Sequence, residues 1–435
     1  MNVFADRRKA LLERLDGAVV LRAAPEVARN NGVHHEYRQH SDVHYLTGFD
    51  EPGSVLVISP KHPDHKFVLF IRPRDPVTEV YDGPRPTPEQ AKASYGVDGS
   101  YTMGQFDEKI VELLTGYQRL YYDLGVSRSF DDRILRAIGS ARSRGRRGNK
   151  VWPSEVVEIE RSGLHDMRLL KSEAELASMR RAAAITRDAH LGAMRMAAPG
   201  RYEYEIDAHI RGTFMSQGSP RTAYTPIVAS GPNATILHYH GSTRRMEDGE
   251  LLLIDAGCEY DFYASDVTRT FPVNGTFSPA QRRIYDVVLR AQLAAIDAVK
   301  PGTNIDAIHE IALEIMVKGL IEEKLLTGDF KELIATDKHK VFCPHRSSHW
   351  IGMDVHDVGL YYLNDKPRTL EPGMVFTIEP GIYIPTNAKD VPAEYLGIGV
   401  RIEDDILVTA SGYENLTADI PKLPDDIERV CRDAR

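Results

Sequence analysis

The amino-acid sequence predicts an α+β protein with two domains. Helical and strand patterns alternate through the first part of the chain, and a long amphipathic helix with a capping sequence begins near residue 172. After residue 340 the pattern is dominated by short apolar runs that are typical of strands. We place the domain boundary just before the long helix, so the expected domains are 1–167 and 168–435.

The first domain is predicted to contain a mixed sheet with covering helices. A helix is expected over residues 5–15, and buried strands are expected in the apolar runs GAVVL, SVLVI and KFVLFI. The segments DEKIVELLTGY and DDRILRAIG predict two more helices. The basic run from Arg133 to Lys150 is interleaved with Gly and Ser, so we interpret it, and the stretch 139–150 in particular, as a solvated loop.

The second domain is predicted to start with helices and to finish with strands. Ser172 followed by Glu175 forms a capping box, and this helix should run to about Met196. Ser278, Pro279 and Gln281 mark a second helix start in the same way, and another helix should cover 304–323. From residue 340 to the end of the chain we expect strands.

The composition excludes several classes of protein. The 435 residues are 42% hydrophobic and 27% charged with a net charge of −9, which disfavours nucleic acid or an anionic membrane as the main partner. Three widely separated cysteines, without a CxxC pair, argue against a disulfide framework and a thiolate zinc site. The sequence shows neither a secretory signal nor a membrane span, and we expect a cytoplasmic protein.

Carboxylates occur inside apolar runs, where they are costly. Asp255 ends the strand pattern LLLID, and Asp266 follows a short bend in YASDVTRTFPV. Two antiparallel strands would place these two side chains close together on one face. Two surface acids beside a turn are the alternative, but it fits Asp255 poorly because buried carboxylates need partners.

Two further acids occupy similar positions near the end of the chain. Glu379 lies in VFTIEPGIYI and Glu403 lies in VRIEDDILV, where it alternates in phase with Arg401. A simple buried ion pair between Arg401 and Glu403 remains an alternative. For Asp404 and Asp405 we expect a turn or a sheet edge that is exposed to water.

Several histidines accompany these acids. His345, His349 and His356 fall in one short segment, and His238 and His240 lie in ATILHYHGS. A single histidine is more often a hydrogen-bonded core residue than a ligand, so this signal is weak alone. Together with four clustered carboxylates, it favours two divalent ions over one, because a single ion cannot balance that charge. Oxygen and imidazole ligands suit Mn²⁺, Co²⁺ or Zn²⁺, so the residues alone predict a metal-dependent hydrolase.

These segments resemble a known family. LLLIDAGCEYDFYASDVTRTFPVNG, SHWIGMDVHDVG, LEPGMVFTIEPGIYI and GIGVRIEDDILVT are similar to the dinuclear-metal pita-bread peptidases, and most similar to their aminopeptidase P (Xaa-Pro aminopeptidase) group. EYRQHSDVHYLTGFDEPGSVLVI in the first domain resembles the same group. The resemblance implies a C-terminal pita-bread catalytic domain preceded by a smaller mixed α/β N-terminal domain.

The resemblance also implies an activity and a set of site residues. The activity is hydrolysis of the N-terminal Xaa-Pro bond by a hydroxide that bridges two divalent ions, most often Mn²⁺. The implied metal ligands are Asp255, Asp266, His349, Glu379 and Glu403. Glu379 would also shuttle a proton to the leaving proline nitrogen. The other implied catalytic or substrate-binding residues are His238, His356, Arg401, His345 and Tyr224.

Alternatives remain open within and beyond this resemblance. Arg346 stands where we expect a glycine in the family, and a cation there could favour a prolidase that cleaves only Xaa-Pro dipeptides. A non-catalytic pita-bread binding module is a further alternative, which the five filled ligand positions disfavour. The expected partners are peptides with proline at the second position. A homodimer or homotetramer is also expected, in which the N-terminal domain supports assembly and walls off the active site.

Overall fold

The computed structural model describes residues 3–433. The chain divides between Met167 and Arg168 into two compact units, which we call the N-terminal and C-terminal units. Both units combine helices with sheets, as the α+β prediction requires. Within residues 3–433 we find no helix with the length and apolar character needed to span a membrane.

The N-terminal unit is built around one mixed sheet. Its helices are α1 (Val3–Leu12), α2 (Ser41–Thr47), α3 (Glu79–Asp82), α4 (Pro88–Tyr95), α5 (Phe106–Leu114) and α6 (Arg128–Gly148), and α7 (Leu164–Leu169) spans the division in sequence. Its strands are β1 (Ala18–Arg22), β2 (Ala28–Asn30), β3 (Val33–His34), β4 (Val55–Ile58), β5 (Phe67–Ile71), β6 (Gly99–Thr102), β7 (Arg119–Tyr121) and β8 (Glu155–Val157). Six strands form a sheet in the order β6-β5-β4-β1-β7-β8. The pairs β1–β4 and β4–β5 are antiparallel, and the other three pairs are parallel.

The basic run near the end of this unit is a helix, so the loop prediction for it is wrong. Helix α6 covers most of the run, and its buried residues include Ile134, Ala137, Ile138 and Ala141. These positions recur at helical spacing and pack on the sheet, while the arginines lie on the opposite, solvated face. The Gly and Ser residues weakened the local helical signal, but the buried face decides the conformation.

The C-terminal unit contains more helix at its start and more strand at its end. Its helices are α8 (Glu173–Met196), α9 (Glu203–Ser216), α10 (Pro279–Asp297), α11 (Ile305–Glu322), α12 (Phe330–Ala335) and α13 (Pro424–Arg432). Its first strands are β9 (Arg221–Thr222), β10 (Ile227–Ser230), β11 (Leu251–Asp255), β12 (Cys258–Tyr260), β13 (Tyr263–Ala264) and β14 (Thr268–Pro272). The later strands are β15 (Tyr362–Leu363), β16 (Lys366–Pro367), β17 (Val375–Ile378), β18 (Gly381–Ile384), β19 (Ile398–Arg401), β20 (Asp404–Val408) and β21 (Tyr413–Asn415).

Helices α8 and α10 begin where the sequence predicts. Ser172 and Glu175 form the capping box of α8, and Ser278 and Gln281 form that of α10 with Pro279 in the first turn. Helix α8 packs against α9, and α10 packs against α11. The prediction of strands to the end of the chain is wrong at its last element, because α13 closes the unit and buries Ile427 and Cys431.

The sheets of the C-terminal unit are short and lie against these helices. The orders are β10-β11-β14, β13-β12-β9 and β17-β20-β21, with the pairs β18–β19 and β15–β16. The apolar faces of β11, β14, β17 and β20 share one core with α8, α9 and α10. The ends of these strands therefore carry polar side chains at fixed positions beside an apolar core.

Candidate active site

Two pairs of strands bring the candidate acids to one cavity. In the first pair, Asp255 at the end of β11 lies opposite Thr268 at the start of β14. In the second pair, Ile378 at the end of β17 lies opposite Asp404 at the start of β20, which places Glu379 and Glu403 just outside the ladder. Asp255 belongs to the first ladder, and Glu379 and Glu403 directly flank the second, so the strand pairing fixes the backbone of these three acids.

The ten site residues that the sequence predicts line one cavity of about 400 Å³. They are Tyr224, His238, Asp255, Asp266, His345, His349, His356, Glu379, Arg401 and Glu403. His240 and Arg346 also line this cavity. Part of the wall is apolar, through Ile227, Leu237 and Val355.

Asp266, His349 and Glu403 form a close group of possible metal-binding side chains in the cavity. Each offers one ligand atom, and these atoms lie within 4.8 Å of one another. Asp266 and Glu403 are 5% and 2% exposed, so their charges lie outside bulk water. Burial raises the pKa of Glu403 well above its usual range, and the neighbouring Asp266 and Glu379 raise it further. A divalent cation would remove this repulsion, and oxygen and imidazole donors are suitable ligands for it.

Asp255 and Asp266 are joined through one hydroxyl group. The hydroxyl of Tyr224 lies 2.5 Å from Oδ1 of Asp255 and 2.5 Å from Oδ1 of Asp266. The second predicted strand is interrupted, because residues 265–267 separate β13 from β14. The two carboxylates thus lie close together at the end of the ladder, with the hydroxyl of Tyr224 in contact with both.

Glu379 lies between the end of β17 and the histidine segment. Its backbone N–H donates to the carbonyl of Ser347 at 2.9 Å, which aligns the chain after β17 with the histidine segment. Oε1 of Glu379 lies 3.6 Å from Nε2 of His349, and Oε2 lies 3.7 Å from Nδ1 of His345. Burial raises the pKa of Glu379 to about 7, even though His349 and Arg401 oppose the shift.

His349 faces the carboxylates with one ring nitrogen and the backbone with the other. Nε2 lies 3.5 Å from Oδ2 of Asp266, and Nδ1 lies 3.1 Å from the carbonyl of Trp350. Burial lowers the pKa of His349, but Asp266 and Glu379 outweigh this effect and raise it to about 9. The contact with the carbonyl of Trp350 leaves Nε2 facing the carboxylate cluster, where a cation would have to displace its proton before Nε2 could serve as a ligand.

Arg401 does not form the simple ion pair with Glu403 that was the alternative. Its Nη2 donates to Oδ2 of Asp255 at 2.6 Å, and its Nη1 donates to the hydroxyl of Tyr383 at 2.7 Å. Its Nε donates to Oγ1 of Thr268 at 3.0 Å, and that hydroxyl donates to Oε2 of Glu403 at 2.6 Å. One guanidinium therefore orients acids from both strand pairs.

The sequence analysis missed Thr268 and Tyr383. Thr268 lies two residues after Asp266, and Tyr383 lies two residues after Gly381, the cross-strand partner of Arg401. The two-residue period of strands could have indicated both. A β-carbon at Gly381 would come within 2.5 Å of the Tyr383 hydroxyl, so glycine leaves room for the contact with Arg401.

Asp404 and Asp405 are buried, so the prediction that water surrounds them is wrong. They are 0% and 1% exposed. Asp404 pairs with Arg269 and Lys422. Oδ2 of Asp405 accepts a hydrogen bond from the backbone N–H of Asp266 at 3.1 Å. Arg269 and Lys422 compensate the charge of Asp404, whereas burial, with Asp266 nearby, raises the pKa of Asp405 well above its usual range.

Two further histidines of the wall, His345 and His356, are neutral near pH 7. Burial is the largest cause that lowers the pKa of His345, to about 4, and Arg401 lowers it further. Burial also lowers the pKa of His356, whose ring centroid lies 4.4 Å from that of His349. Nε2 of His345 lies 2.9 Å from the hydroxyl of Tyr383. Neutral imidazoles can donate or accept a hydrogen bond at a substrate without adding charge.

Arg346 is held by an acid at the cavity wall. Nη2 of its guanidinium donates to Oδ1 of Asp306. The other oxygen of Asp306 accepts a hydrogen bond from the hydroxyl of Tyr362 at 2.6 Å. Arg346, the cation that the sequence analysis singled out, is therefore already paired with Asp306.

Comparison with known proteins agrees with this geometry. The family model of metallopeptidase family M24 matches residues 177–410, and that of the aminopeptidase P N-terminal domain matches residues 4–121. The Xaa-Pro aminopeptidase of Escherichia coli strain K12 is 43% identical, and the alignment covers 99% of this chain and 98% of that protein.

Two solved structures are also similar to this chain over nearly its full length. The Pseudomonas aeruginosa aminopeptidase PepP superposes with a TM-score of 0.94 at 45% identity, covering 99% of this chain and 98% of that one. The zinc-substituted E. coli aminopeptidase P in complex with product superposes with a TM-score of 0.93 at 44% identity, covering 100% and 98% of the two chains. The predicted family and fold class are confirmed. This chain belongs to metallopeptidase family M24, with an aminopeptidase P N-terminal domain ahead of its peptidase domain.

Proposed function

We propose that this protein removes the first residue of peptides whose second residue is proline, by hydrolysis of the Xaa-Pro bond. The observation that carries the proposal is the cavity itself. One wall holds the possible metal-binding group of Asp266, His349 and Glu403 beside Glu379. Another wall is apolar and carries the neutral imidazoles of His345 and His356. The full-length similarity to Xaa-Pro aminopeptidases supports the same substrate class.

A metallopeptidase of this family uses a divalent metal ion, and we propose two ions at this site. The proposed ligands are Asp255, Asp266, His349, Glu379 and Glu403. Mn²⁺ is the expected metal, and Co²⁺ or Zn²⁺ would suit the same donors. When bound, such ions supply Lewis acidity toward the scissile carbonyl and lower the pKa of a coordinated water.

Glu379 is the proposed proton shuttle. As a largely buried carboxylate beside the proposed ions, it would accept a proton from the attacking water and then release it. The proton goes to the proline nitrogen as the C–N bond breaks, so the imide nitrogen leaves as a neutral amine. The two carboxylate oxygens of Glu379 lie 3.7 Å from His345 and 3.6 Å from His349, so the side chain faces the cavity.

His238 and His356 are the proposed donors to the oxyanion that develops on the carbonyl oxygen. Both line the cavity. Burial keeps His356 neutral near pH 7, so one ring nitrogen carries a proton to donate. Arg401 orients Asp255, and His345 and Tyr224 contribute to the wall that receives the substrate. The apolar part of that wall suits a proline ring, which has no N–H to satisfy.

Rates on short peptides with added Mn²⁺ test this proposal. We expect rapid cleavage of an Xaa-Pro-Pro tripeptide and slow cleavage of the matched peptide with alanine in the second position. Equal rates on the two peptides would refute the assignment to proline. Absence of both turnover and metal binding would favour a non-catalytic binding module.

Cleavage of longer peptides is proposed over a strict dipeptidase. A free cation at the cavity wall would bind the carboxylate of a dipeptide, but Arg346 already contacts Asp306. Negligible tripeptide turnover beside rapid Gly-Pro cleavage would favour a prolidase. Arg346→Gly is expected to shift the ratio of kcat/KM values further toward tripeptides, because the variant loses any attraction for the dipeptide carboxylate. An unchanged ratio would show that Arg346 does not contact the substrate.

Assembly and location also belong to the proposal. We propose a homodimer or homotetramer in the cytoplasm, and light scattering during size-exclusion chromatography would measure the assembly. A monomer at micromolar concentration would exclude the proposed assembly role of the N-terminal unit.

A further inference from the structure

A buried carboxylate outside the candidate active site holds a loop that lines it. Glu203 is the first residue of α9 and is 0% exposed. This loop runs from Ser230, the last residue of β10, to Arg244, and it carries His238 and His240, which both line the cavity. We call this segment the histidine loop.

Glu203 accepts hydrogen bonds from both ends of the histidine loop. Its Oε1 accepts from the N–H and the hydroxyl of Ser230 at 2.7 and 2.8 Å, and from the amide of Asn233 at 3.1 Å. Its Oε2 accepts from the N–H of Arg244 at 3.1 Å. The N–H of Glu203 itself donates to the carbonyl of Arg244 at 3.0 Å. One carboxylate therefore joins the start and the end of the loop.

The same carboxylate also holds the middle of the loop. Oε2 of Glu203 accepts a hydrogen bond from the hydroxyl of Tyr239 at 2.9 Å, and Tyr239 lies between the two histidines in sequence. The ring of Tyr239 packs on a small apolar cluster with Ala234 and Leu253. A β-carbon at Gly241 would come within 2.9 Å of this ring, so glycine keeps the loop closed around it.

Burial of the Glu203 carboxylate costs free energy, which its hydrogen bonds must offset. A carboxylate that is withdrawn from water requires several donors, and Glu203 has five. Its position in the first turn of a helix adds favourable electrostatics. His238, His240 and Gly241 are exposed, so little burial fixes this part of the loop. The orientation of the histidines therefore depends on the tether from Tyr239 to Glu203.

We propose that Glu203 and Tyr239 are positioning residues for the peptidase reaction, which hold His238 toward the substrate through the hydroxyl-to-carboxylate contact. This inference rests on the proposed function, because it assumes that His238 contacts the substrate. Neither residue touches the reacting atoms. Their effect on the rate arises because a catalytic donor that moves by about 1 Å loses much of its contribution.

Tyr239→Phe is the decisive variant, because it removes only one oxygen and keeps the ring packing. We expect kcat/KM on an Xaa-Pro-Pro tripeptide to fall about tenfold, the effect of one lost hydrogen bond on the position of a donor. Hydrogen exchange in residues 236–243 should become faster. In a His238→Ala background the same substitution should change kcat/KM by less than about twofold, since the donor is already absent.

Tyr263→Phe is the matched control. The hydroxyl of Tyr263 donates at 2.9 Å to Glu175, a buried carboxylate in the first turn of α8, so the lost bond is chemically the same. This control should leave the exchange of residues 236–243 unchanged and kcat/KM within about twofold. Glu203→Gln should exceed the effect of Tyr239→Phe if the variant folds, but the test does not depend on it.

The outcomes separate this inference from the proposed function. A wild-type protein that is inactive on all Xaa-Pro peptides would refute the proposed function, while faster exchange in Tyr239→Phe would still support the tether. An active wild type with an unchanged Tyr239→Phe variant would overturn the inference alone. If Tyr239→Phe lowered kcat/KM equally in the presence and absence of His238, the inference would also be overturned, because the tether would then act on a group other than His238.

Discussion

Asp404→Asn is predicted to destabilise the protein and to weaken its metal site. Asp404 is 0% exposed, and its Oδ1 accepts from Arg269 at 2.7 Å and from Thr417 at 2.8 Å. Its Oδ2 accepts from Lys422 at 2.6 Å and from Gln292 at 2.7 Å. Asparagine has nearly the same shape but carries no charge, so the substitution leaves Arg269 buried without its counter-charge.

The expected loss follows from the burial of Arg269, which is 0% exposed. Removal of one partner from a buried ion pair costs about 3–5 kcal/mol, which corresponds to a fall in Tm of about 10 °C for a unit of this size. Arg269 also donates to the backbone carbonyl of Glu403 at 2.6 Å. Displacement of this support should lower the affinity for Mn²⁺ by about 10- to 100-fold.

The pH dependence of the unfolding free energy provides a second test of the role of Asp404. Burial raises the pKa of a carboxyl, but Arg269 and Lys422 outweigh this and hold the pKa of Asp404 well below its usual range. Burial lowers the pKa of Lys422 even beside Asp404, so we regard Arg269 as the main partner. The pKa of Asp404 is lower in the folded than in the unfolded state. The stabilisation that ionised Asp404 provides is therefore present above about pH 5 and is lost as the pH falls below about 4.

Urea unfolding at pH 8, 6 and 3, with metal titrations on the pH 8 samples, measures these effects. The difference in unfolding free energy between wild type and Asp404→Asn should be constant from pH 8 to 6 and smaller at lower pH. Asp425→Asn is the control, since this side chain is 89% exposed and should change stability by less than about 0.5 kcal/mol. A difference below about 1 kcal/mol for Asp404→Asn would refute the reasoning about the buried pair.

Three further predictions concern the site and its support. Glu379→Ala should lower kcat by at least about 100-fold while the circular dichroism spectrum is unchanged, because the proton shuttle is lost; near-normal kcat with Mn²⁺ present would disprove that role. Chelation of divalent ions should abolish activity and lower Tm, and Mn²⁺ at about 100 times its Kd should restore about 2.7 kcal/mol of stability; a Tm that ignores Mn²⁺ would contradict the ligand assignment. Burial lowers the pKa of His190 to about 4, so the unfolded chain takes up a proton below pH 6.5 while the folded imidazole stays neutral. Between pH 7.5 and 5 the wild type should therefore lose about 2 kcal/mol more stability than His190→Gln, and equal losses in urea titrations would show that His190 is protonated in the folded state.

The sequence determined the elements whose signals are local. The capping boxes at Ser172 and Ser278 are set by side chains three residues apart, so the starts of α8 and α10 could be read directly. The apolar runs that end in Asp255 and precede Glu379 gave the positions of strands and acids. Local patterns work here because the contacts that form these features lie within a few residues.

Burial and partner choice were decided by the tertiary structure. Asp404 is compensated by Arg269 and Lys422, and α6 is helical because its apolar face packs on the sheet. The tether from Tyr239 to Glu203 joins residues that are 36 positions apart. No local pattern encodes such contacts, since they exist only when distant segments are brought together, and their free energy depends on the water that this packing excludes.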